Sequence, residues 1–344
     1  MAVPKTKKRI RWQFLIGYSL FLLLVLLLAG EIAVRVMGYS PWEVPEQSFE
    51  ISPGDSFFQE DSLLGYAGRP GTFDIVLNHS LNFRVSHNAD GYRVCGTADT
   101  VQRPEIWIFG CSFTHGFGVN DTAAYPWRLQ ERFPAYTFRN FGMSGYGTLQ
   151  SKMQFERLLK LRGRPAMVML AYGAFHDQRN TSNRYWRKVL SGSEITAGLR
   201  YPHVRFNAQD SLEVGYSRLE YTPFPAMGWS AFAHYLELSY NRVEDHRLRS
   251  AEVSLHLIRQ MRELANGAAV PFVLVGIFQH EETSKMLETF AQKGCNVIDI
   301  SQDQEDPALR ILPSDGHPNA ASHRLMADKL GNFLISNFPN FNFR

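Results

Sequence analysis

Glu105-Ile106-Trp107-Ile108-Phe109-Gly110-Cys111-Ser112-Phe113-Thr114 carries four consecutive apolar residues after Glu105 and breaks into small ones at Gly110. An apolar run this short, followed at once by a glycine, reads as a strand buried on both faces and leaving into a tight turn. The pattern recurs downstream at Tyr136–Phe138, Met167–Ala171, Phe272–Ile277 and Val297–Ile300. Amphipathic patterns separate these runs, at Tyr125–Phe133, Thr148–Leu161 and Arg247–Ala265, with a last helix from about Ala320. Apolar strands alternating with helices predict an α/β fold: a three-layer, flavodoxin-like sandwich around a parallel sheet of about five strands.

Working toward the N-terminus, residues 31–103 are rich in Pro, Gly, Asn and Ser, with alternating stretches such as Leu81-Asn82-Phe83-Arg84-Val85. They read as a stalk passing into a strand-rich lead-in that ends near the turn Asn88-Ala89-Asp90-Gly91. Before them, Phe14–Gly30 is seventeen residues without a charge. A run apolar on every face, close to the length that spans a bilayer core of ~30 Å, predicts a transmembrane anchor over 13–30. Leu28-Ala29-Gly30-Glu31 is a poor match to a signal-peptide cleavage site. Lys5, Lys7, Lys8, Arg9 and Arg11 precede the run, so the basic stretch 1–12 is expected in the cytoplasm and the remainder outside it.

Those five charges also explain the net charge of +3, because without them 31 basic residues face 33 acidic ones. No basic footprint for nucleic acid is left. The apolar fraction of 44% is that of a folded chain. Cys95, Cys111 and Cys295 match no zinc spacing and read as small buried residues, with one disulfide between two of them left open.

Within 104–340 the strand-helix rhythm is interrupted at about 180–240, where Pro202, Pro223 and Pro225 and extended stretches around Asn207-Ala208-Gln209-Asp210 suggest an inserted hairpin and loop. Insertions at the carboxyl edge of such a sheet commonly shape a binding site. Its aromatics Tyr185, Trp186, Tyr201, Phe224, Trp229, Phe232 and Tyr235 read chiefly as core, with a sugar-stacking or acyl-binding surface as the second reading.

Four stretches carry the chemistry. Ser112 sits on the turn leaving the first strand, where open α/β sheets bind ligands. Near the C-terminus, Ser314-Asp315-Gly316-His317-Pro318-Asn319 precedes the last helix, and Pro318 disfavours the helical region for His317. Asp315 is then placed to hold one imidazole nitrogen while the other accepts a proton from a hydroxyl. Asn140-Phe141-Gly142-Met143-Ser144-Gly145-Tyr146-Gly147 follows the second strand and can offer backbone N–H groups to an oxyanion. Its GMSGYG also fits a dinucleotide fingerprint, but no acidic residue ends a strand ~20 residues on. Tyr172-Gly173-Ala174-Phe175-His176-Asp177 follows the third strand.

Together these stretches resemble the SGNH/GDSL hydrolase family, in its membrane-anchored bacterial form, over roughly residues 104–335. The family's first block, Gly-Asp-Ser, matches Gly110-Cys111-Ser112, with Cys111 in place of the Asp. Its second-block glycine matches Gly145, with Gly142 as the fallback, and its last block matches Asp315-Gly316-His317-Pro318. In the third block His176-Asp177 stands where the family has Asn-Asp. The resemblance implies Ser112 as nucleophile, His317 as base and Asp315 as its orienting acid, with Ser112, Gly145 and His176 as the oxyanion hole. It implies no cofactor and no metal. The activity it implies is hydrolysis of acyl esters; the expected location outside the cytoplasm points to acetyl groups on an envelope or exported glycan or lipid. Two alternatives stand beside it: acyl transfer to a sugar hydroxyl by the same triad, and a tethered glycan-binding protein with weak turnover. The partners expected are the ester substrate and the membrane.

Overall fold

The computed structural model describes residues 12–43, 48–97, 101–191, 198–312 and 315–343. The basic stretch before Trp12, and Ser314, lie outside the described residues. The chain divides into two units, residues 1–45 with 222–244 and residues 46–221 with 245–344.

The first unit is led by α1 (Trp12–Val36), a 25-residue helix long and apolar enough to cross a membrane. At ~1.5 Å per residue it exceeds a ~30 Å hydrocarbon core. The helix runs six residues past Gly30, where the anchor was expected to end. Glu31 lies in this extension. Its carboxylate accepts from the N–H groups of Ala231 and Phe232, both at 3.0 Å, and from the Ser230 hydroxyl at 2.7 Å. An acid on one helix thus caps the otherwise orphaned donors that begin another.

The second unit begins with the lead-in. β1 (Phe49–Ser52), β4 (Gly71–Leu77) and β5 (Leu81–His87) form an antiparallel sheet, and β2 (Phe58–Asp61) pairs with β3 (Gly65–Gly68). Phe83, Val85 and His87 alternate inward along β5, as the period of two requires. The apolar face of this sheet gathers Phe57, Phe73, Ile75, Leu77, Phe83 and Val85, together with Phe117 from the loop after Ser112. The lead-in is therefore packed on the α/β body.

The remaining elements follow in chain order, with most of α7 in the first unit: β6 (Glu105–Phe109), α2 (Ser112–His115), α3 (Tyr125–Arg132), β7 (Thr137–Asn140), α4 (Thr148–Arg162), β8 (Met167–Tyr172), α5 (His176–Thr181), α6 (Arg184–Ser191), β9 (Arg200–Phe206), β10 (Leu212–Arg218), α7 (Ala231–Leu248), α8 (Ser250–Gly267), β11 (Phe272–Gly276), α9 (Glu281–Ala291), β12 (Asn296–Asp299), β13 (Arg310–Leu312), β14 (Asp315–Pro318) and α10 (Ala320–Asn337). Five strands form one parallel sheet in the order β12-β11-β8-β6-β7. Numbered among themselves these strands run 2-1-3-4-5, the flavodoxin-like order, and the order reverses beside β6.

The unbroken apolar runs have a direct cause. Ile106, Ile108, Met169, Val273 and Val275 pack with Leu129 of α3 and Leu330 of α10. The intervening Trp107, Phe109, Val168, Leu170 and Leu274 pack with Phe155 of α4, Ile258 of α8 and Leu287 of α9. Both faces are covered, so both alternating sets are apolar.

The helix expected over Arg247–Ala265 is broken at Arg249, which adopts φ +54 between α7 and α8. Its guanidinium is tied to Glu252 and Asp210, which holds a non-glycine residue in the left-handed region. In the 180–240 stretch, β9 and β10 form the hairpin, and residues 222–244 group with the first unit. Trp186 and Tyr201 are core, whereas Tyr185 and Trp229 are exposed. All three cysteines are unpaired.

Candidate active site

The nucleophile turn is built by close packing at the end of β6. A Cβ on Gly110 would stand 2.2 Å from the Thr114 hydroxyl and 3.0 Å from Ala171, so only glycine fits there. Cys111 is still extended, and the Cys111 carbonyl accepts from the N–H groups of Thr114 and His115 at 3.0 and 2.8 Å. Ser112 is thereby the first residue of the single turn α2, a position whose N–H has no intrahelical acceptor. The turn closes at Gly116, φ +84.

At the other end of the chain β13 pairs antiparallel with β14, which keeps His317 extended, as Pro318 predicts. Asn319 stops the strand and starts α10, its side chain accepting from Ala321 and Ser322 N–H at 3.0 and 3.1 Å. The two ends of the chain meet here. His317 Nε2 lies 2.8 Å from Ser112 Oγ, and His317 Nδ1 lies 2.5 Å from Asp315 Oδ1. Asp315 Oδ1 also accepts from the His317 backbone N–H at 2.9 Å. A carboxylate on Nδ1 keeps the proton there and leaves the Nε2 lone pair facing the serine. Burial pushes the Asp315 carboxyl up, but its bonds to His317 outweigh that and hold it below the usual carboxylate range. The imidazole packs between Phe113 and Phe117, at ring separations of 5.4 and 4.8 Å. Phe175 and Phe278 extend this aromatic wall through Phe113.

The loop carrying Gly145 is pinned from several directions. Asn140 donates to the Thr114 carbonyl at 2.8 Å and accepts from Gly142 N–H at 3.0 Å, joining this loop to α2. A Cβ on Gly142 would meet Thr114 at 2.7 Å, so this glycine serves close loop packing rather than a phosphate. Tyr66 from β3 donates to the Ser144 carbonyl at 2.6 Å, and Tyr201 from β9 donates to the Gly145 carbonyl at 2.9 Å. Gly145 itself has φ +82, and the Tyr66 hydroxyl lies 2.1 Å from where its Cβ would be. Its N–H has no hydrogen-bond partner among the described residues.

His176 is placed differently. It is fully enclosed, with Nδ1 3.3 Å from the Thr148 hydroxyl and its ring edge-on to Tyr172 and Phe175. No hydrogen bond or ring contact joins it to Ser112 or His317, and Nε2 is buried without a partner among the described residues. Burial holds its pKa well below the ordinary value, so the ring is neutral. Of the two neighbours it is Phe175 whose ring reaches Phe113, at 5.5 Å.

The residues that sequence reading passes over are in the lead-in. Arg93, only 2% exposed, donates to the carbonyls of His115, Gly116 and Val119 at 3.0, 2.7 and 2.8 Å and pairs with Asp121 at 2.9 Å. His87 Nδ1 donates to the Arg69 carbonyl at 3.0 Å, so its Nε2 accepts from His115 Nε2–H at 2.9 Å. These contacts immobilise the segment that follows the serine. A lone arginine in a polar stretch carries no local signal of this role.

No family model and no curated protein matches the chain. Solved structures do match. A member of the lipolytic protein G-D-S-L family from Veillonella parvula is 14% identical over 69% of this chain and 99% of its own, with a TM-score of 0.40. A GDSL-like lipase from Bacteroides thetaiotaomicron is 14% identical over 70% of this chain and 92% of its own, at 0.38. A mutant of an acetyl-xylooligosaccharide esterase from Geobacillus is 12% identical over 67% of this chain and 94% of its own, at 0.39. Likeness this distant leaves the chemistry to the site itself.

Proposed function

We propose that this chain is a membrane-anchored serine esterase, on the strength of one observation: the continuous hydrogen-bonded line Ser112–His317–Asp315 at 2.8 and 2.5 Å. His317 Nε2 takes the Ser112 proton as Oγ attacks the ester carbonyl, and Asp315 stabilises the imidazolium that forms. The oxyanion is received by the N–H groups of Ser112 and Gly145. The expected third donor, His176, is fully enclosed in the core, so this reading rests on the two backbone donors. The imidazolium then protonates the leaving alcohol. Water, deprotonated by His317, hydrolyses the acyl-Ser112 ester and regenerates the serine.

The substrate we assign is an acyl ester, acetyl first, on an envelope or exported glycan or lipid. The support is positional: the basic residues before α1 favour retention of that end in the cytoplasm, which leaves the site on the far side. A sugar hydroxyl in place of water turns the same cycle into acyl transfer.

The test is hydrolysis of 4-nitrophenyl acetate by the full chain in detergent, beside Ser112→Ala and His317→Ala of equal folded content. Labelling by a serine-reactive phosphonate runs in parallel. Turnover and labelling lost in both variants support the esterase. A folded wild-type protein that neither turns over nor labels sinks it, and labelling without hydrolysis favours the transferase.

A further inference from the structure

We infer that Arg179 recognises a negative charge on the substrate, so that the preferred ester carries a carboxylate or phosphate close to the scissile bond. This rests on the esterase reading and deepens it. Arg179 lies one turn after Phe175, on α5. Its guanidinium is stacked between two rings, 4.3 Å from the centroid of Phe175 and 4.5 Å from that of Trp186. Nη1 donates to the Tyr146 carbonyl at 2.9 Å, and Nε is buried with no partner among the described residues.

Both supports border the reaction centre. Phe175 packs on Phe113, which packs on the His317 ring, and Tyr146 directly follows Gly145. The guanidinium is thus fixed beside the oxyanion loop and behind an aromatic wall.

Its electrostatic state differs from that of two other enclosed arginines. Arg93 and Arg157, also buried or half-buried, pair with Asp121 and Asp61 at 2.9 and 2.7 Å. No carboxylate pairs with Arg179 among the described residues. A half-buried cation held only by aromatic faces and one carbonyl has lost hydration without gaining a counter-ion. The planar fork of a guanidinium is also suited to a carboxylate or phosphate.

The experiment compares matched esters with the full chain in detergent. 4-Nitrophenyl hydrogen succinate carries the charge on the acyl side and its methyl ester is the neutral control. 2-Acetoxybenzoate carries it on the alcohol side, against methyl 2-acetoxybenzoate. The expected result is a higher kcat/KM for the charged member of one pair, and which pair responds locates the charge. A hydrogen bond to a charged group corresponds to about tenfold or more, so Arg179→Gln should reduce that charged-to-neutral ratio about tenfold, and Arg179→Lys less. Independently of any variant, succinate should inhibit wild-type hydrolysis of the neutral ester competitively, and succinamide should not. No charge preference in either pair, a ratio unmoved in Arg179→Gln, or equal inhibition by succinate and succinamide overturns the inference and leaves the esterase standing. A folded wild-type protein that hydrolyses none of the four esters removes both.

Discussion

The Arg93 guanidinium of the lead-in donates to the Gly116 carbonyl at 2.7 Å, four residues beyond the serine it helps to hold in place. The same side chain spans His115 and Val119 and is neutralised by Asp121. Removing one partner of a buried pair leaves the other charged and unsolvated, which costs about 3–5 kcal/mol. Arg93→Ala should therefore lower the free energy of unfolding by about that amount in a denaturant titration. Arg93→Lys, which keeps the charge but not the planar fork, should recover part of it. Stability unchanged in Arg93→Ala would mean that the lead-in does not brace the nucleophile turn.

Asp315 is the smallest change that separates geometry from chemistry. Asp315→Asn keeps the shape but presents an amide to Nδ1, favouring the wrong tautomer of His317. A loss of ~10⁴ in kcat is expected, with KM little altered. A loss below tenfold would show that His317 is oriented by something else.

Gly145 allows a paired test. Gly145→Ala places a methyl on the Tyr66 hydroxyl at φ +82, so the loop must move and esterase activity should fall at least ~10²-fold, the cost of an oxyanion donor. Adding Tyr66→Phe removes the clash but leaves a backbone strain of about 1–2 kcal/mol. The double variant should be more active than Gly145→Ala alone. If it is not, loss of the Tyr66–Ser144 hydrogen bond outweighs relief of the clash.

Acid should destabilise the fold through the lead-in. Burial pushes the His87 pKa down to about 4, and burial beside Arg93 and His87 pushes His115 well below its ordinary value. Both are neutral when folded, whereas the unfolded chain protonates them near pH 6.5. Because the unfolded state binds the extra protons, this stability is complete above about pH 6.5 and declines as pH falls toward about 4. His87 alone contributes a loss of about 2 kcal/mol between pH 6.5 and 5. Urea titrations at pH 7 and pH 5 should show it, with a smaller difference in His87→Gln. Equal pH dependence in the two proteins would exclude the pair as the cause.

His176 decides the third donor. If Nε2 serves the oxyanion, His176→Ala lowers kcat by ~10²–10³ with KM nearly constant. A loss of stability without that loss in kcat would assign the ring to the core and leave the oxyanion to Ser112 and Gly145.

What the amino-acid sequence determined by itself was local. Alternation along a strand and burial on both faces force unbroken apolar runs, so β6, β8 and β11 and the sheet they form are legible in one dimension. Their ends shift by a residue or two, as at β7 and β12, because a ladder ends where pairing ends and not where hydrophobicity does. Ser112 and the Asp315–His317 turn were legible for the same local reason: a glycine break after a strand, and a proline that keeps its predecessor extended. Tertiary structure decided the rest. Tyr66 is 78 residues from the Ser144 it pins, and Tyr201 is 56 residues from Gly145. Arg93 is 23 residues from Gly116 and leaves no periodic trace. That Phe175 rather than His176 packs toward Phe113 depends on how the chain leaves β8, and a single residue of rotation there exchanges wall for core. Such contacts come from the order in which the strands assemble, which brings distant side chains to one carboxyl edge without marking them in the local pattern.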